Sequence, residues 1–184
     1  SLDNSKVHNL VPRYGKLRWD ESDRKSVLGF QNIELISDRP FDLWLEELAD
    51  CKQAYPDRVL IASVMEEYEK DAWIEIIERT QATGVDAFEL NLSCPHGLPE
   101  RKMGAAMGQD PKIVEEVTGW AVQASKVPVY AKMTPNITHI TEPGRAALAA
   151  GCNGLAAINT ILSVMGVDLE TLRPMPTVEG HSTP

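Results

Sequence analysis

The sequence predicts an α/β protein built on a parallel sheet. Two observations carry this. Between residues 40 and 160, short β-branched apolar runs alternate with longer amphipathic runs of helical period, the pattern of strands buried on both faces and helices packed against them. The apolar runs also recur at spacings of 27, 42 and 26 residues, measured from Ile61 to Phe88, on to Tyr130 and on to Ala156. Two of these spacings fit a bare strand–helix unit, and the middle one adds roughly 15 residues at the C-terminal end of its strand, where parallel α/β folds carry their chemistry.

Four strands are expected. Val59–Met65 follows the turn signal Pro56-Asp57, Ala87–Ser93 is the second, Val127–Met133 the third and Gly154–Asn159 the fourth. Pro128 sits near the start of the third, where a missing N–H is tolerated. The first helix, Pro40 to Tyr55, places Phe41, Trp44, Leu45 and Leu48 on one face. The second, Asp71 to Thr83, gathers Ala72, Trp73, Ile76, Ile77 and Thr80 and stops at Gly84. Asp110-Pro111 opens the third as N-cap and first residue, with the stripe Ile113, Val114, Val117, Trp120, Ala121 and Ala124. A fourth runs from Glu142 to Ala150, and Pro143-Gly144 is expected to shorten its first turn. Four strands are too few to close a barrel of about eight.

Charge and cysteine content exclude several functions. With 18 Lys and Arg against 27 Asp and Glu, the net charge is −9, which opposes general nucleic-acid binding and a polybasic membrane mode. No stretch approaches the ~20 apolar residues of a membrane span. Cys51, Cys94 and Cys152 form no disulfide framework, which points to a reducing, cytoplasmic compartment. Three thiols fall short of the four that an iron–sulfur cluster usually takes. His8, His96, His139 and His181 are scattered, so no metal site is expected, and no G-x-G-x-x-G dinucleotide motif occurs.

The strands end in polar residues. Asn91 and Ser93 lie two apart, hence on one face, and Cys94 follows them. Lys132 lies near the end of the third strand, and Asn159-Thr160 end the fourth. If the strands are neighbours, Asn91, Ser93, Lys132 and Asn159 converge at one rim. A lysine there needs a negative or electron-rich partner, and the amides and hydroxyls suit a planar heterocycle with several donors and acceptors. Pro95-His96-Gly97 forms a sharp exit, so Cys94 is expected to be exposed at the rim. Plainer readings stand beside these. A lone cysteine serves as a small buried hydrophobe, Lys132 as a snorkelling side chain, Asn159-Thr160 as a strand terminator, and His96 as a loop-ordering hydrogen-bonder. Cys51 and Cys152 read as packing residues.

The motifs carry a resemblance. Phe88–Gly97 reads F-E-L-N-L-S-C-P-H-G, followed by Gly104, Met107–Pro111, Tyr130–Asn136, Asn159-Thr160 and Val164–Gly166, with Gln31–Ser37 and Ile61–Met65 upstream. In this order they resemble the dihydropyrimidine dehydrogenase family, and most of all the FMN-containing subunit of its bacterial NAD-linked type. Class 1 dihydroorotate dehydrogenases share N-L-S-C-P but typically follow Cys-Pro with Asn; His96-Gly97 favours the pyrimidine-reducing branch. The loop Leu98–Gly104 is less glycine-rich than the family's, and Pro99 and Lys102 are expected to stiffen or reshape a lid.

The resemblance implies an FMN-binding (β/α)8 TIM barrel, incomplete at both ends. Residues 1–184 would be a segment of a single barrel domain, lacking its first and last strands and the glycine-rich FMN phosphate segments. It implies reduction of the 5,6 double bond of uracil or thymine, the opening step of pyrimidine catabolism. Cys94 would be the general acid that protonates C5. Asn32, Asn91, Ser93, Asn159 and Thr160 would bind the pyrimidine; Asn32, Asn159 and Thr160 would also touch FMN, and Lys132 would contact the flavin near N1 and O2. Iron–sulfur clusters, NAD and a flavoprotein NAD-oxidising partner subunit would lie outside this segment, in a hetero-oligomer. Two alternatives remain: oxidation of dihydroorotate with Cys94 as base, and a non-catalytic barrel fragment.

Overall fold

The computed structural model describes residues 1–3, 14–20, 22–23, 25–32, 36–37, 39–95, 101–163 and 167–174. In chain order the elements are β1 (Tyr14–Arg18), β2 (Val27–Asn32), α1 (Phe41–Ala54), β3 (Ile61–Val64), α2 (Lys70–Gln81), β4 (Ala87–Asn91), α3 (Ala105–Gly108), α4 (Pro111–Ala124), β5 (Val129–Met133), α5 (Thr141–Ala149), β6 (Gly154–Ala157), β7 (Val167–Asp168) and β8 (Arg173–Pro174). The chain forms two units, one of Ser1–Ser5 with Arg39–Ile161, the other of Lys6–Asp38 with Leu162–Pro184.

The larger unit holds the four expected strands as one parallel sheet in the order β3-β4-β5-β6. Strand order follows chain order without reversal. The helix α2 packs on α4, and α4 on α5. This succession of β–α units is an arc of barrel type; a doubly wound sheet reverses its strand order.

Side-chain alternation divides the sheet faces. Ala62, Val64, Phe88, Leu90, Val129, Ala131 and Met133 are buried in one core with Trp73, Ile76 and Ile77 of α2 and Val114, Val117 and Ala121 of α4. The opposite face carries Ser63, Glu89, Asn91, Tyr130 and Lys132, half-buried or exposed. Burial on both faces, expected from the apolar runs, is therefore not what β3 shows: its residues alternate exposed and buried.

Local signals account for the helix ends. Asp110 accepts from the N–H groups of Lys112 and Ile113, and Pro111 fills the first turn of α4. Glu69 caps α2 by accepting from the Ala72 N–H. The expected shortening of α5 does not occur. Thr141–Ala149 keeps its first turn, with the Gly144 N–H donating to the Ile140 carbonyl at 3.2 Å. Proline is tolerated there because first-turn N–H groups lack helical partners. A Cβ on Gly144 would lie 3.3 Å from Leu155 Cδ1, so the glycine admits close contact of α5 with β6.

The helix α1 is amphipathic but has no fully buried residue. Phe41 and Leu48 pack partly against the core, and the Arg39 guanidinium lies over the Trp44 ring. Cys51, expected to pack, is exposed, on a helix that has no fully buried residue; Cys152 is buried in the core. Lys52 ties α1 to the sheet by pairing with Asp86 at 2.7 Å, and Asp86 also accepts the Leu60 N–H.

The smaller unit contains an unexpected antiparallel hairpin of β1 and β2, with Tyr14 opposite Asn32. Its turn is ordered by Asp20, whose carboxylate accepts the Ser22 N–H at 2.8 Å. The strands β7 and β8 pair antiparallel in the same unit.

Candidate active site

The polar face of the sheet brings the strand-end residues of the larger unit together. Asn91, last residue of β4, stands in register with Lys132 of β5, and Lys132 with Ala156 of β6. Beyond the strand ends, Ser93 Oγ donates to Asn91 Oδ1 at 2.9 Å, and Asn159 Nδ2 donates to Ser93 Oγ at 3.0 Å and to Asn91 Oδ1 at 3.4 Å. Asn159 Oδ1 in turn accepts the Thr160 N–H at 2.7 Å and its hydroxyl at 3.3 Å. Four candidate residues from two strand ends thus form one connected network. Among the described residues the Asn91 side-chain N–H groups make no hydrogen bond, which leaves them for a ligand.

Lys132 meets the negative partner that its position demands. Its ammonium lies 3.4 Å from Glu89 Oε1, and the same oxygen accepts from Ser63 Oγ at 3.1 Å. Asn32 ends β2 in the other unit, half-buried.

Cys94 is buried, against the expectation of rim exposure. The cause is the chain's return ten residues later. The Ala105 N–H donates to the Cys94 carbonyl at 2.9 Å, and Gly104, at φ +61°, packs so closely that a Cβ there would lie 2.4 Å from that carbonyl oxygen. His96, Gly97 and the lid residues Leu98–Glu100 lie outside the described residues, as do Val164–Gly166, His8 and His181. Lys102 is described, and its ammonium sits 5.2 Å from the Tyr68 ring centroid. The neighbouring Arg101 Nε donates to Glu67 Oε2 at 2.5 Å. The downstream limb of the cysteine loop is thereby fastened to the β3–α2 connection.

Two contacts at the rim escape a residue-by-residue reading of the sequence. Asn136 Nδ2 donates to the Thr160 carbonyl at 3.0 Å, and Gln109 Nε2 donates to the Asn136 carbonyl at 2.7 Å. They brace the ends of β5 and β6 against the segment after α3. Among the described residues no group of His, Cys, Asp or Glu is arranged to hold a metal. No helix among them is long and apolar enough to cross a membrane.

The dihydroorotate dehydrogenase family profile matches residues 9–180, nearly the whole chain. The chain belongs to the dihydroorotate dehydrogenase family. This is a family of FMN-binding (β/α)8 barrels, and the sequential sheet described above is part of such a barrel. The chain is 62% identical over 186 residues to a chloroplastic dihydropyrimidine dehydrogenase (NADP(+)) of Arabidopsis thaliana, covering 100% of this chain and 44% of that protein. It is 39% identical to the NAD-dependent dihydropyrimidine dehydrogenase subunit PreA of Escherichia coli K12, covering 96% of this chain and 42% of that one. The catalytic subunit of dihydroorotate dehydrogenase B (NAD(+)) of Streptococcus pneumoniae R6 is 34% identical, with 92% and 54% covered. The chain therefore spans about half the length of these relatives, or less.

The rim's donor set fits the family's cofactor. The pyrimidine end of a flavin offers acceptors at N1, O2 and O4. The ammonium of Lys132 has one acceptor among the described residues, Glu89, and the Asn91 amide keeps its donors. Both stand on the half-buried face, where a flat ring would find cationic and neutral donors together.

Proposed function

We propose that residues 1–184 are a segment of a single FMN-binding barrel domain, lacking its first and last strands, in an enzyme that reduces the 5,6 double bond of uracil or thymine. The Asn91–Ser93–Asn159 network beside Cys94 carries this reading. Its members hold one another in place and leave amide donors for a flat heterocycle. The 62% identity to a protein named a dihydropyrimidine dehydrogenase supports a pyrimidine as that heterocycle.

FMN, when bound, supplies the hydride that forms the new C6–H bond. Negative charge then builds on C5 and on the C4 oxygen. Cys94 gives its proton to C5, its sulfur keeps the electron pair, and solvent later restores the thiol. A positioned acid of this kind is worth ~10²–10⁴-fold in rate, and an ordinary cysteine is mostly protonated at neutral pH. Burial of Cys94 and Ser93 keeps water from competing for the developing charge. Asn91, Ser93, Asn159 and Thr160 would bind the pyrimidine's carbonyl and N–H groups, and Asn159 and Thr160 would also touch the flavin; for Asn32, at the end of β2, both roles are carried over from the resemblance alone. A buried polar site rejects rings that lack the matching group. Lys132 would contact the flavin near N1 and O2, where a cation favours the reduced form.

Electrons reach the segment from outside it, through iron–sulfur clusters and an NAD-oxidising flavoprotein partner subunit in a hetero-oligomer. The word subunit in the name of the E. coli relative supports this arrangement. A cytoplasmic location is part of the proposal. The free thiols fit a reducing interior, a requirement that a plastid, as in the plant relative's name, also meets.

A second reading, dihydroorotate oxidation with Cys94 as the base at C5, is favoured by the family's own description and by the 34% identical catalytic subunit. Turnover assays on the full-length protein separate the two. Reduction of uracil or thymine is expected; turnover of dihydroorotate alone would select the second reading.

A further inference from the structure

The geometry points to Glu89 as a positioning residue that holds the Lys132 ammonium for the flavin, an inference that rests on the flavin site proposed above. Ser63, Glu89 and Lys132 share one sheet face on three adjacent strands. Ser63 and Glu89 are in register, and Lys132 is in register with Asn91, two residues beyond Glu89. The Glu89 carboxylate is thus one side-chain layer below the rim. From there a single oxygen receives the Ser63 hydroxyl at 3.1 Å and the Lys132 ammonium at 3.4 Å.

This arrangement does two things for a lysine. A four-carbon stem is flexible, and its ammonium points where its partners are. Among the described residues Glu89 is the acceptor of the Lys132 ammonium, so one N–H is anchored below and two remain for a ligand at the rim. The carboxylate also offsets the cation. Both side chains keep about a quarter to a third of their exposure, 30% for Lys132 and 24% for Glu89, so the pair is not sealed in a dry core. A flavin beside it senses a compensated charge, and the tendency to hold electrons is set by the pair rather than by the lysine alone. A glutamate in the middle of an apolar strand would otherwise be costly to keep.

The test is the flavin midpoint potential of the full-length protein, measured by spectroelectrochemistry. Glu89→Gln keeps an oxygen to accept from Lys132 and Ser63 but removes the charge. It is expected to raise the midpoint, shifting the ratio of reduced to oxidised flavin by about tenfold at a fixed ambient potential, ~30 mV for a two-electron couple. In a Lys132→Met background the same substitution is expected to move the midpoint much less. If the glutamine variant does not accumulate folded, Glu89→Asp withdraws the charge by one methylene and gives a smaller shift in the same direction. Flavin bound with an unchanged midpoint overturns the role of Glu89 and leaves the flavin site standing. Equal shifts with and without Lys132 overturn action through the lysine. Absence of flavin from the unsubstituted protein overturns the site and this inference together.

Discussion

Asn159 Nδ2 donates to Ser93 Oγ at 3.0 Å across 66 residues of sequence. The bond joins the chain beyond β4 to the chain beyond β6 and skips the strand between them. It presets an amide and a hydroxyl before any ligand arrives, so little ordering cost is left for binding. Asn159→Ala removes this donor and the acceptor of Thr160. Uracil kcat/KM is expected to fall about 10- to 100-fold, on the scale of one or two hydrogen bonds to a ligand. Steady-state kinetics on the full-length protein check this, with circular dichroism reporting that the fold is kept.

Gly104→Ala tests how the cysteine is held. The added Cβ would lie 2.4 Å from the Cys94 carbonyl oxygen, at a backbone φ of +61° that alanine resists. The carbonyl must move, and displacement of a reacting group by about 1 Å costs on the order of 10²-fold. The expected outcome is a fall in kcat of that size with flavin still bound, read from the flavin absorbance of the purified protein.

Asp86 gives a pH signature. Its hydrogen bond from Lys52, then that from the Leu60 N–H, hold its carboxyl below the ordinary carboxylate range. A depressed pKa contributes stability that is fully present above the unfolded value of ~3.9 and is lost as pH falls through the folded value. Asp86→Asn removes that term. The denaturation midpoint of the variant is expected to lie below that of the parent at pH 7, and the gap to close below about pH 4. A gap that persists unchanged into strong acid would contradict the pairing.

Asp110→Ala removes the side chain that caps α4 through the Lys112 and Ile113 N–H groups. Loss of such a cap costs about 1 kcal/mol, read from urea denaturation. Uracil turnover at low temperature is expected to stay near that of the parent, since α4 contributes none of the rim residues.

The parallel sheet was legible because its strands carry branched apolar runs and its helices a regular stripe. Trp73, Ile76 and Ile77 occupy the core that their spacing demands. The two-residue step from Asn91 to Ser93 likewise placed both on one side of the chain. The hairpin from Tyr14 to Asn32 was not legible, because Lys16, Arg18 and Gly29 break its alternation and Trp19 and Phe30 are left exposed. Burial of Cys94 depends on Gly104, ten residues on, and no local pattern carries that contact. The brace from Asn136 to Thr160 joins two loops and leaves no period to read. Glu89 did leave a signal, a carboxylate inside an apolar strand, but its partner was not legible: Lys132 stands in register with Asn91, and only the 3.4 Å side-chain contact joins it to Glu89.

The most direct test follows the flavin colour. The full-length protein, reduced under anaerobic conditions, is mixed with uracil. The account predicts rapid return of the oxidised flavin spectrum with formation of dihydrouracil, slowed ~10²–10⁴-fold in Cys94→Ala while flavin remains bound. Reoxidation by uracil at the parental rate in that variant would contradict the assignment of Cys94 as the proton donor.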